Sequence, residues 1–329
     1  MFTRIFKYHT NLQIVFVFLV AVVLWFPAFI KGYPMYQPFD LSFGYNMLYR
    51  HLNGAPLIYT SIAFVLLMAE AILLNEMLAE YKITPKNSYI TAFFYILLMS
   101  STPAMLTLHP FIIVNALIIL LLLILFKIKT KEEGYKEIFL CGLLAGISSM
   151  FYFKSAGLII IVWVFLLLFH SFSWREWFIS ILGIVTIFIY LFAYFLFTDQ
   201  LSAVFKEYQN VFSVINFGRG LWTVSVYQYI TTAIIAVLFL VSAVKMFLIS
   251  LEKIIYVRKA FYVIFWLFVL NAFSMLFFVN NFIYEFSYTL LPLSILVSYY
   301  YLNLKKILFG EIVLSLLIAS IILQKIFIG

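Results

Sequence analysis

The chain is dominated by long apolar runs of about 20 residues, the length that a helix needs to cross the hydrocarbon core of a bilayer. Eleven such runs lie along the 329 residues. They cover 12–31, 57–76, 89–108, 110–128, 137–153, 155–172, 177–197, 228–249, 260–280, 282–302 and 308–328. The sequence therefore predicts an all-α polytopic membrane protein with about 11 transmembrane helices.

Composition excludes most other classes of protein. Hydrophobic residues make up 66% of the chain and charged residues 10%, whereas soluble domains have about 45–50% and about 25%. Too few charges are present to cover a water-soluble enzyme, a disordered protein or a secreted disulfide scaffold. The apolar runs do not alternate with polar residues, which excludes a porin-type barrel. The single cysteine, Cys141, lies in an apolar run and is interpreted as a small buried hydrophobe.

The connections between the runs are too short for a soluble domain, so we predict one integral membrane domain over residues 1–329. Two connections are longer, and both are expected on the outer side: 32–56 and 198–227. Within the second, residues 201–216 place apolar side chains at helical intervals and polar ones largely opposite. This pattern predicts an amphipathic helix lying in the membrane interface.

The basic residues indicate the orientation of the chain. With the N-terminus in the cytoplasm, six of the 21 Lys and Arg residues fall outside, and the other 15 fall inside. The six are Lys31, Arg50, Lys154, Lys206, Arg219 and Lys325. An excess of basic residues inside is the usual rule, so we expect the N-terminus inside and, with eleven spans, the C-terminus outside. Because the basic residues form no stripe, the net charge of +8 indicates topology and not nucleic-acid binding.

The motifs of cofactor and metal chemistry are absent from the sequence. The four histidines and one cysteine have no metal-ligand spacing. No P-loop, GxGxxG or GxSxG occurs. We therefore expect no metal and no cofactor.

Ionisable residues expected at the outer side remain as candidates for a site. Lys and Arg side chains can hold a phosphate, and the carboxylate of Asp40 could accept a proton from a hydroxyl nucleophile. The competing interpretation is that these side chains are solvated or touch lipid headgroups. The candidates are Asp40, Arg50, His51, His109, Lys154, Arg219 and Glu285.

Lys154 and Glu285 are the hardest of these to treat as solvated, because one lies between two runs with almost no loop and the other just inside a run. We expect a Lys–carboxylate pair across helices, whose role could be structural or functional. Glu70 lies within the second run, where a charge costs at least about 2.5–3.5 kcal/mol. A hydrogen-bonded contact between helices is its favoured interpretation.

Two short patterns are interpreted as structural. Gly142 and Gly146 have the GxxxG spacing that allows helices to approach closely. In SWREW, Ser173 and Glu176 have the spacing of a capping box at the start of a helix. The two tryptophans of SWREW suit the membrane interface.

Two stretches resemble the C-type, polyprenol-phosphate-dependent glycosyltransferases (GT-C). They are EIFLCGLLAGISSMFYFKSAGLIIIVWVFLLLF and NNFIYEFSYTLLPLSILVSYYYL. The resemblance implies a GT-C-like bundle, here without the large outer domain, that acts at the outer face on a polyprenyl-phosphate-linked sugar. It implies Asp40 as the catalytic base, Lys154 and Arg219 as ligands of the lipid phosphate, and 201–216 as the interfacial helix. Glu285, Arg50, His51 and His109 are the further substrate-binding candidates.

Over its full length the chain also resembles a family of uncharacterised polytopic inner-membrane proteins of Bacteroidota. The resemblance is carried by RIFKYHTNLQIVFVFLVAVVLWFPA, EAILLNEMLAEYKI, HPFIIVNAL with the preceding Pro103, and SWREW. It implies a bacterial inner (cytoplasmic) membrane location and no mechanism.

Two functions from different classes therefore stay open. The first is a compact GT-C-like glycosyltransferase whose partner is a membrane lipid, polyprenyl phosphate. The second is a non-catalytic membrane subunit or assembly factor of an envelope complex, with a protein partner. Many GT-C members carry two acids in the first outer loop, whereas this chain has Asp40 alone and no outer domain, which favours the second. A transporter is disfavoured because few polar residues lie at depth.

Overall fold

The structure is a computed structural model that describes residues 6, 12–37, 42–128, 134–169, 173–202, 225–250, 254–277, 282–304 and 307–327. These residues form twelve α-helices and two short 3₁₀ helices, with no strand in the described ranges. The α-helices are α1 (Leu12–Lys31), α2 (Phe43–Leu52), α3 (Pro56–Glu80), α4 (Ile90–Met99), α5 (Pro110–Ile128), α6 (Tyr135–Phe151), α7 (Ile159–Phe169), α8 (Trp174–Phe197), α9 (Val226–Ser250), α10 (Ile255–Phe277), α11 (Phe282–Leu302) and α12 (Ile307–Phe327). The 3₁₀ helices are Pro103–Met105 and Phe153–Leu158.

Seven of the described helices, α1, α3, α5, α8, α9, α10 and α12, are long and apolar enough to cross a membrane. Their outward side chains are large and hydrophobic, such as Leu12, Val23 and Phe197. The molecule is therefore all-α and has the character of a multi-pass membrane protein. The starts and ends of α1 and α5 coincide with the predicted runs 12–31 and 110–128.

The predicted number of about 11 transmembrane helices is wrong, because four of the apolar runs do not form helices that are both long and apolar in the described part of the chain. The run 89–108 gives only α4, and 155–172 gives a 3₁₀ turn followed by α7. Helix α6 has 17 residues, and α11 is long but rich in Tyr and Ser. Hydropathy of the sequence does not distinguish a residue in contact with lipid from one buried against protein, so the count was too high.

Helices α4 and α11 form the centre of the bundle. Every residue of α4 is buried, and α4 packs against α1, α3 and α11. Helix α11 packs in turn against α4, α5, α9 and α10. Because protein and not lipid surrounds α11, its polar side chains cost little, and the Thr91 hydroxyl donates to Ser298 Oγ at 3.1 Å between the two helices.

A buried segment follows α4 that contains the 3₁₀ helix Pro103–Met105 but no α-helix. Of the residues from Ser100 to His109, all but Ala104 are buried. Trp25 of α1 donates from Nε1 to Ser100 Oγ at 3.0 Å, which satisfies one polar group in this segment. Irregular backbone at membrane depth is tolerated only where protein or a wet cavity covers it. Segment 90–109 is thus a broken span enclosed by its neighbours.

The GxxxG pattern packs α6 against α8, as predicted. A Cβ added to Gly142 would lie 2.1 Å from the carbonyl oxygen of Ser180, and one added to Gly183 would lie 2.4 Å from that of Phe139. A Cβ at Gly146 would meet Ile187 at 2.8 Å. The two backbones are in contact, so only glycine fits at these crossing points.

Helix α8 begins where SWREW predicts a helix start, with Ser173 in the N-cap position. The predicted capping box is wrong, because the Ser173 side chain makes no capping hydrogen bond. Trp174 is 67% exposed, whereas Trp177 stacks on Trp163 with ring centroids 5.1 Å apart. One tryptophan of the pair thus has a packing role.

The bundle has two ends, which we name by a lysine at each. At the Lys154 end, Tyr59 of α3 donates to the carbonyl of Tyr33 at 2.7 Å, after α1 has ended. At the Lys82 end, the Tyr81 ring packs on Phe126 at the end of α5, with centroids 5.4 Å apart. The described residues of the predicted outer connection 32–56 lie at the Lys154 end and include α2. Of the predicted helix 201–216, residues from 203 onward lie outside the described residues.

Candidate functional site at the Lys154 end

Lys154 lies in the turn between α6 and α7. Helix α6 ends at Phe151, and the extended backbone of Tyr152 leads into the 3₁₀ helix that carries Lys154. Glu285 lies in the first turn of α11. Their side chains meet, with the Lys154 Nζ 3.2 Å from Glu285 Oε1. The predicted Lys–carboxylate pair across helices is therefore present.

The pair is largely removed from solvent. The Lys154 and Glu285 side chains are 11% and 3% exposed. The Lys154 ammonium also lies 5.4 Å from the centroid of the Tyr152 ring, a cation–π distance. Desolvating two charges is expensive, and their mutual attraction together with further contacts offsets that cost. The Lys154 side chain is thus held at a fixed place near one end of the bundle.

Aromatic rings surround the ion pair. The Tyr284 ring, next to Glu285 in sequence, packs edge-on against Tyr36 with centroids 4.7 Å apart. Tyr152 packs on Phe111 at 4.6 Å and on Tyr288 at 6.0 Å. We call the set of Tyr36, Tyr45, His109, Phe111, Tyr152, Lys154, Tyr284, Glu285 and Tyr288 the Lys154 cluster. Its walls come from the segment after α1 and from α2, α5, the α6–α7 turn and α11.

Tyr45 ties the first outer connection to this cluster. Its phenol oxygen lies 2.9 Å from both the Tyr36 and the Leu108 carbonyl oxygens, so the one phenolic proton is shared between two acceptors. Burial raises the pKa of Tyr45, because the phenolate would be desolvated. The phenol therefore stays a donor, and it holds the start of α2 against the broken span.

His109 lies in the cluster but is not solvated, contrary to the simplest interpretation of a histidine at a span end. It is fully buried, and its ring centroid is 5.9 Å from that of Tyr284. Its Nδ1 accepts the Ile112 amide at 3.3 Å, and the same amide also lies 3.2 Å from the His109 carbonyl oxygen. The side chain and backbone of His109 thus share one donor at the start of α5.

Arg50 and His51 are not placed in the Lys154 cluster. Both side chains are exposed on the last turn of α2. The Nδ1 of His51 lies 2.8 Å from the Met47 carbonyl, a contact within the same helix. Asp40 and Arg219, the predicted base and phosphate ligand, lie outside the described residues. The roles predicted for all seven residues therefore stay predictions.

Glu70 makes the interhelical contact that was favoured for it. Its Oε2 accepts a hydrogen bond from the phenol of Tyr95 on α4, and both side chains are buried. Nearby, Asn115 of α5 donates to the Ser287 carbonyl of α11 at 3.4 Å. These contacts join α3 to α4 and α5 to α11 and explain the polar residues at depth.

The aromatic part of the cluster was not predicted from the sequence. One available signal is the spacing of Tyr284 and Tyr288, which places both on one face of α11 together with Glu285 next to them. No group of three or more His, Cys, Asp or Glu that could hold a metal occurs within the described ranges. Comparisons with protein-family models, curated proteins and solved structures found no match for this chain.

Proposed function

We propose that this protein is a GT-C-like membrane glycosyltransferase that uses a polyprenyl-phosphate-linked sugar at the outer face of the bacterial inner membrane. The observation that carries the proposal is the buried Lys154–Glu285 pair within aromatic walls. Two described residues that flank segment 38–41, Tyr36 and Tyr45, belong to those same walls. That segment contains Asp40, the proposed base.

In the proposed reaction, the acceptor hydroxyl transfers its proton to the Asp40 carboxylate as its oxygen bonds to the anomeric carbon of the sugar. The bond from that carbon to the phosphate oxygen breaks, and the electron pair stays on the phosphate. Polyprenyl phosphate leaves with one more negative charge, and Asp40 later releases the proton to water. The cations of Lys154 and Arg219 stabilise the charge that develops on the phosphate, which is often the largest catalytic contribution.

Glu285 has a positioning role in this scheme. Its carboxylate lies 3.2 Å from Nζ and holds the lysine side chain in place within an aromatic environment. An ammonium group has three donors, so Lys154 can contact a phosphate oxygen without leaving Glu285. The tyrosine and phenylalanine rings provide apolar walls for the sugar face and the start of the polyprenyl chain. The orientation that this requires has the N-terminus in the cytoplasm and the Lys154 end outside.

The second candidate function is a non-catalytic subunit or assembly factor of an envelope complex. Two observations favour it: Glu285 already neutralises Lys154, and Arg50 and His51 are exposed outside the cluster. It predicts a protein partner that remains bound during purification in mild detergent. The transferase proposal predicts a monomer that carries a polyprenyl lipid.

A transfer assay tests the first proposal. Purified protein in lipid nanodiscs is given an envelope fraction of the source cells as acceptor and a panel of synthetic polyprenyl-phosphate-linked hexoses. Release of polyprenyl phosphate is followed by mass spectrometry. We expect release by the wild type and loss of at least about 100-fold in Asp40→Asn, because general base catalysis contributes about 10²–10⁴.

Asp199→Asn, which changes an exposed acid at the end of α8, is the matched control and should retain the wild-type rate. An active Asp40→Asn variant would remove Asp40 from the mechanism. Absence of release from every donor, together with a stoichiometric protein partner, would establish the second function instead.

A further inference from the structure

A second polar site lies at the Lys82 end, on the opposite side of the bundle from the Lys154 cluster. A cleft of about 1330 Å³ opens between the end of α3, the connection to α4 and the end of α11. The polar residues that line it and carry the argument are Asn75, Glu76, Glu80, Lys82, Thr84 and Lys86. None of them takes part in the proposed transfer reaction.

The floor of the cleft has unsatisfied hydrogen-bonding groups. Asn75 and Thr84 are 2% and 4% exposed. Asn75 Oδ1 and Thr84 Oγ1 are buried with no hydrogen-bond partner in the described part of the chain. The Asn75 oxygen can only accept a hydrogen bond, whereas the Thr84 hydroxyl can donate or accept one. Buried polar groups are normally paired, so this floor fits a ligand that brings both an N–H donor and an acceptor oxygen.

The rim of the cleft carries both signs of charge. Glu76, Glu80, Lys82 and Lys86 all line it and are exposed. With two carboxylates and two ammonium groups, these four residues have no net charge. A simple anion would be repelled by the glutamates, and a simple cation by the lysines. A ligand that carries both a negative and a positive group is attracted by all four.

The position of the cleft along α3 indicates that such a ligand comes from the membrane. The apolar part of α3 before Asn75 covers residues 57–74, which is about 27 Å at 1.5 Å per residue. The hydrocarbon core of a bilayer is about 30 Å thick. Asn75 therefore lies close to the end of the hydrocarbon region, where phospholipid headgroups begin.

Lys82 has a backbone conformation that glycine adopts more readily than lysine. It follows the end of α3 with a φ of 58°, and the Ile83 amide donates back to the Leu78 carbonyl at 2.9 Å. Glycine is preferred at this position of a helix end because it has no Cβ. Replacing Lys82 with glycine therefore removes the charge without straining the fold, which provides a clean test.

We infer that this cleft binds a phospholipid headgroup that contains both a phosphate and a primary ammonium, as in phosphatidylethanolamine. Lys82 and Lys86 neutralise the phosphate, and the Thr84 hydroxyl donates to it. Glu76 and Glu80 attract the ammonium, whose N–H groups also reach Asn75 Oδ1. The inference concerns the opposite end of the bundle from Asp40 and is independent of the proposed transferase activity.

Lipid binding to the full-length protein in detergent tests the inference. Native mass spectrometry measures the occupancy of phosphatidylethanolamine, phosphatidylcholine and phosphatidylglycerol that have identical acyl chains. We expect the ethanolamine lipid to bind best, because choline has no N–H donor and glycerol has no positive charge. Equal occupancy of the three lipids would overturn the inference, as would preference for either of the other two. Soluble phosphoethanolamine that displaces the lipid at equal concentration would overturn the assignment to a lipid.

Substitutions locate the binding to the cleft. Lys82→Gly and Lys82→Gln should each lower the affinity for phosphatidylethanolamine about two- to fivefold, the range for an exposed charge pair. Lys245→Gln, which changes an exposed lysine on α9, should not. Combining Glu76→Lys with Glu80→Lys makes the rim cationic and should reverse the preference in favour of phosphatidylglycerol. An unchanged preference in this double variant, with a folded protein, would overturn the inference.

Discussion

The Lys154 ammonium and the Glu285 carboxylate are 3.2 Å apart although they are 131 positions apart in sequence. This contact ties the turn between α6 and α7 to the first turn of α11, the helix at the centre of the bundle. If the pair only stabilises the fold, substitutions in it should change stability alone. If it also serves the proposed transfer reaction, they should change activity as well.

Breaking the ion pair from one side should destabilise the protein. We expect Lys154→Gln or Glu285→Gln to lower the free energy of unfolding by about 3 kcal/mol, the lower end for a buried pair, because Lys154 keeps 11% exposure. The double variant Lys154→Met with Glu285→Leu should lie within about 1 kcal/mol of the wild type, since an apolar pair leaves no buried charge. Thermal unfolding in detergent measures all three.

The double variant also separates stability from activity. If the pair serves the transferase, the folded double variant should lose transfer while Asp199→Asn retains it. Full activity in the double variant would assign the pair to structure alone.

The crossing of α6 and α8 should be intolerant of a single methyl group. Gly142→Ala would place a Cβ 2.1 Å from the Ser180 carbonyl oxygen, and because that atom is backbone, the two helices must separate. We expect a loss of about 1–3 kcal/mol, as for an overpacked core. Gly157→Ala is the control, because the nearest atom to its Cβ would be 3.8 Å away. Equal unfolding temperatures for the two variants would contradict the close backbone contact.

Because of the Tyr45 phenol, the free energy of unfolding should depend on pH in the alkaline range. Burial raises the pKa of Tyr45 above the ordinary value of 10.0. A raised pKa in the folded state gives stability that is complete below the unfolded pKa and is lost as the pH rises above it. Tyr45→Phe should cost about 0.5–1.5 kcal/mol at pH 8. The difference in the free energy of unfolding between the wild type and Tyr45→Phe should then become smaller above about pH 10.

Thermal unfolding of the two proteins between pH 8 and pH 11 measures this difference. Tyr190→Phe, which removes the phenol oxygen from an exposed side chain, serves as the control. A difference between wild type and Tyr45→Phe that stays constant across the range would show that Tyr45 does not titrate differently on folding.

The predicted orientation can be tested with single cysteines. Cys141 is fully buried, so the native chain should give no background with a membrane-impermeant maleimide. Arg50 and Lys82 are exposed at opposite ends of the bundle. With the N-terminus in the cytoplasm, Arg50→Cys should react in intact spheroplasts and Lys82→Cys only after permeabilisation. The reverse pattern would reverse the orientation and exclude an outer-face reaction at the Lys154 end.

The sequence was sufficient to predict the helices that face lipid, because the apolar character of these helices is itself the signal. Residues Leu12–Lys31 and Pro110–Ile128 were predicted to the residue. The bounds of α11, Phe282–Leu302, were also predicted to the residue. The sequence was insufficient for the runs 89–108 and 155–172, where the helix is short and irregular backbone is covered by protein. The end of α4 at Met99 had a signal in the Pro103 that follows, since proline disfavours helix before it, but the surrounding apolar residues outweighed it.

The charged residues of the candidate site were predictable from the sequence, whereas the aromatic residues around them were not. Lys154 and Glu285 stood out because ionisable residues near apolar runs are rare. Tyr36, Tyr45 and Tyr284 did not stand out, because the chain has 23 tyrosines and only the tertiary structure selects among them. Tyr95, the hydrogen-bond partner of Glu70, could not be predicted for the same reason, because the two helices that carry these residues come together only in the folded bundle.

The broken span over 90–109 has a consequence for how the protein is made. A short helix followed by irregular backbone cannot leave the translocon for lipid on its own, because its free amide and carbonyl groups would have no partners there. Helix α11, which packs against α4, follows it much later in the chain and so emerges from the ribosome long after it. The segment must therefore wait beside its earlier neighbours, shielded by the insertion machinery, until α11 arrives. The packing around α4 is then complete only after α11 has been inserted, and a truncation before α11 should be recognised by membrane quality control.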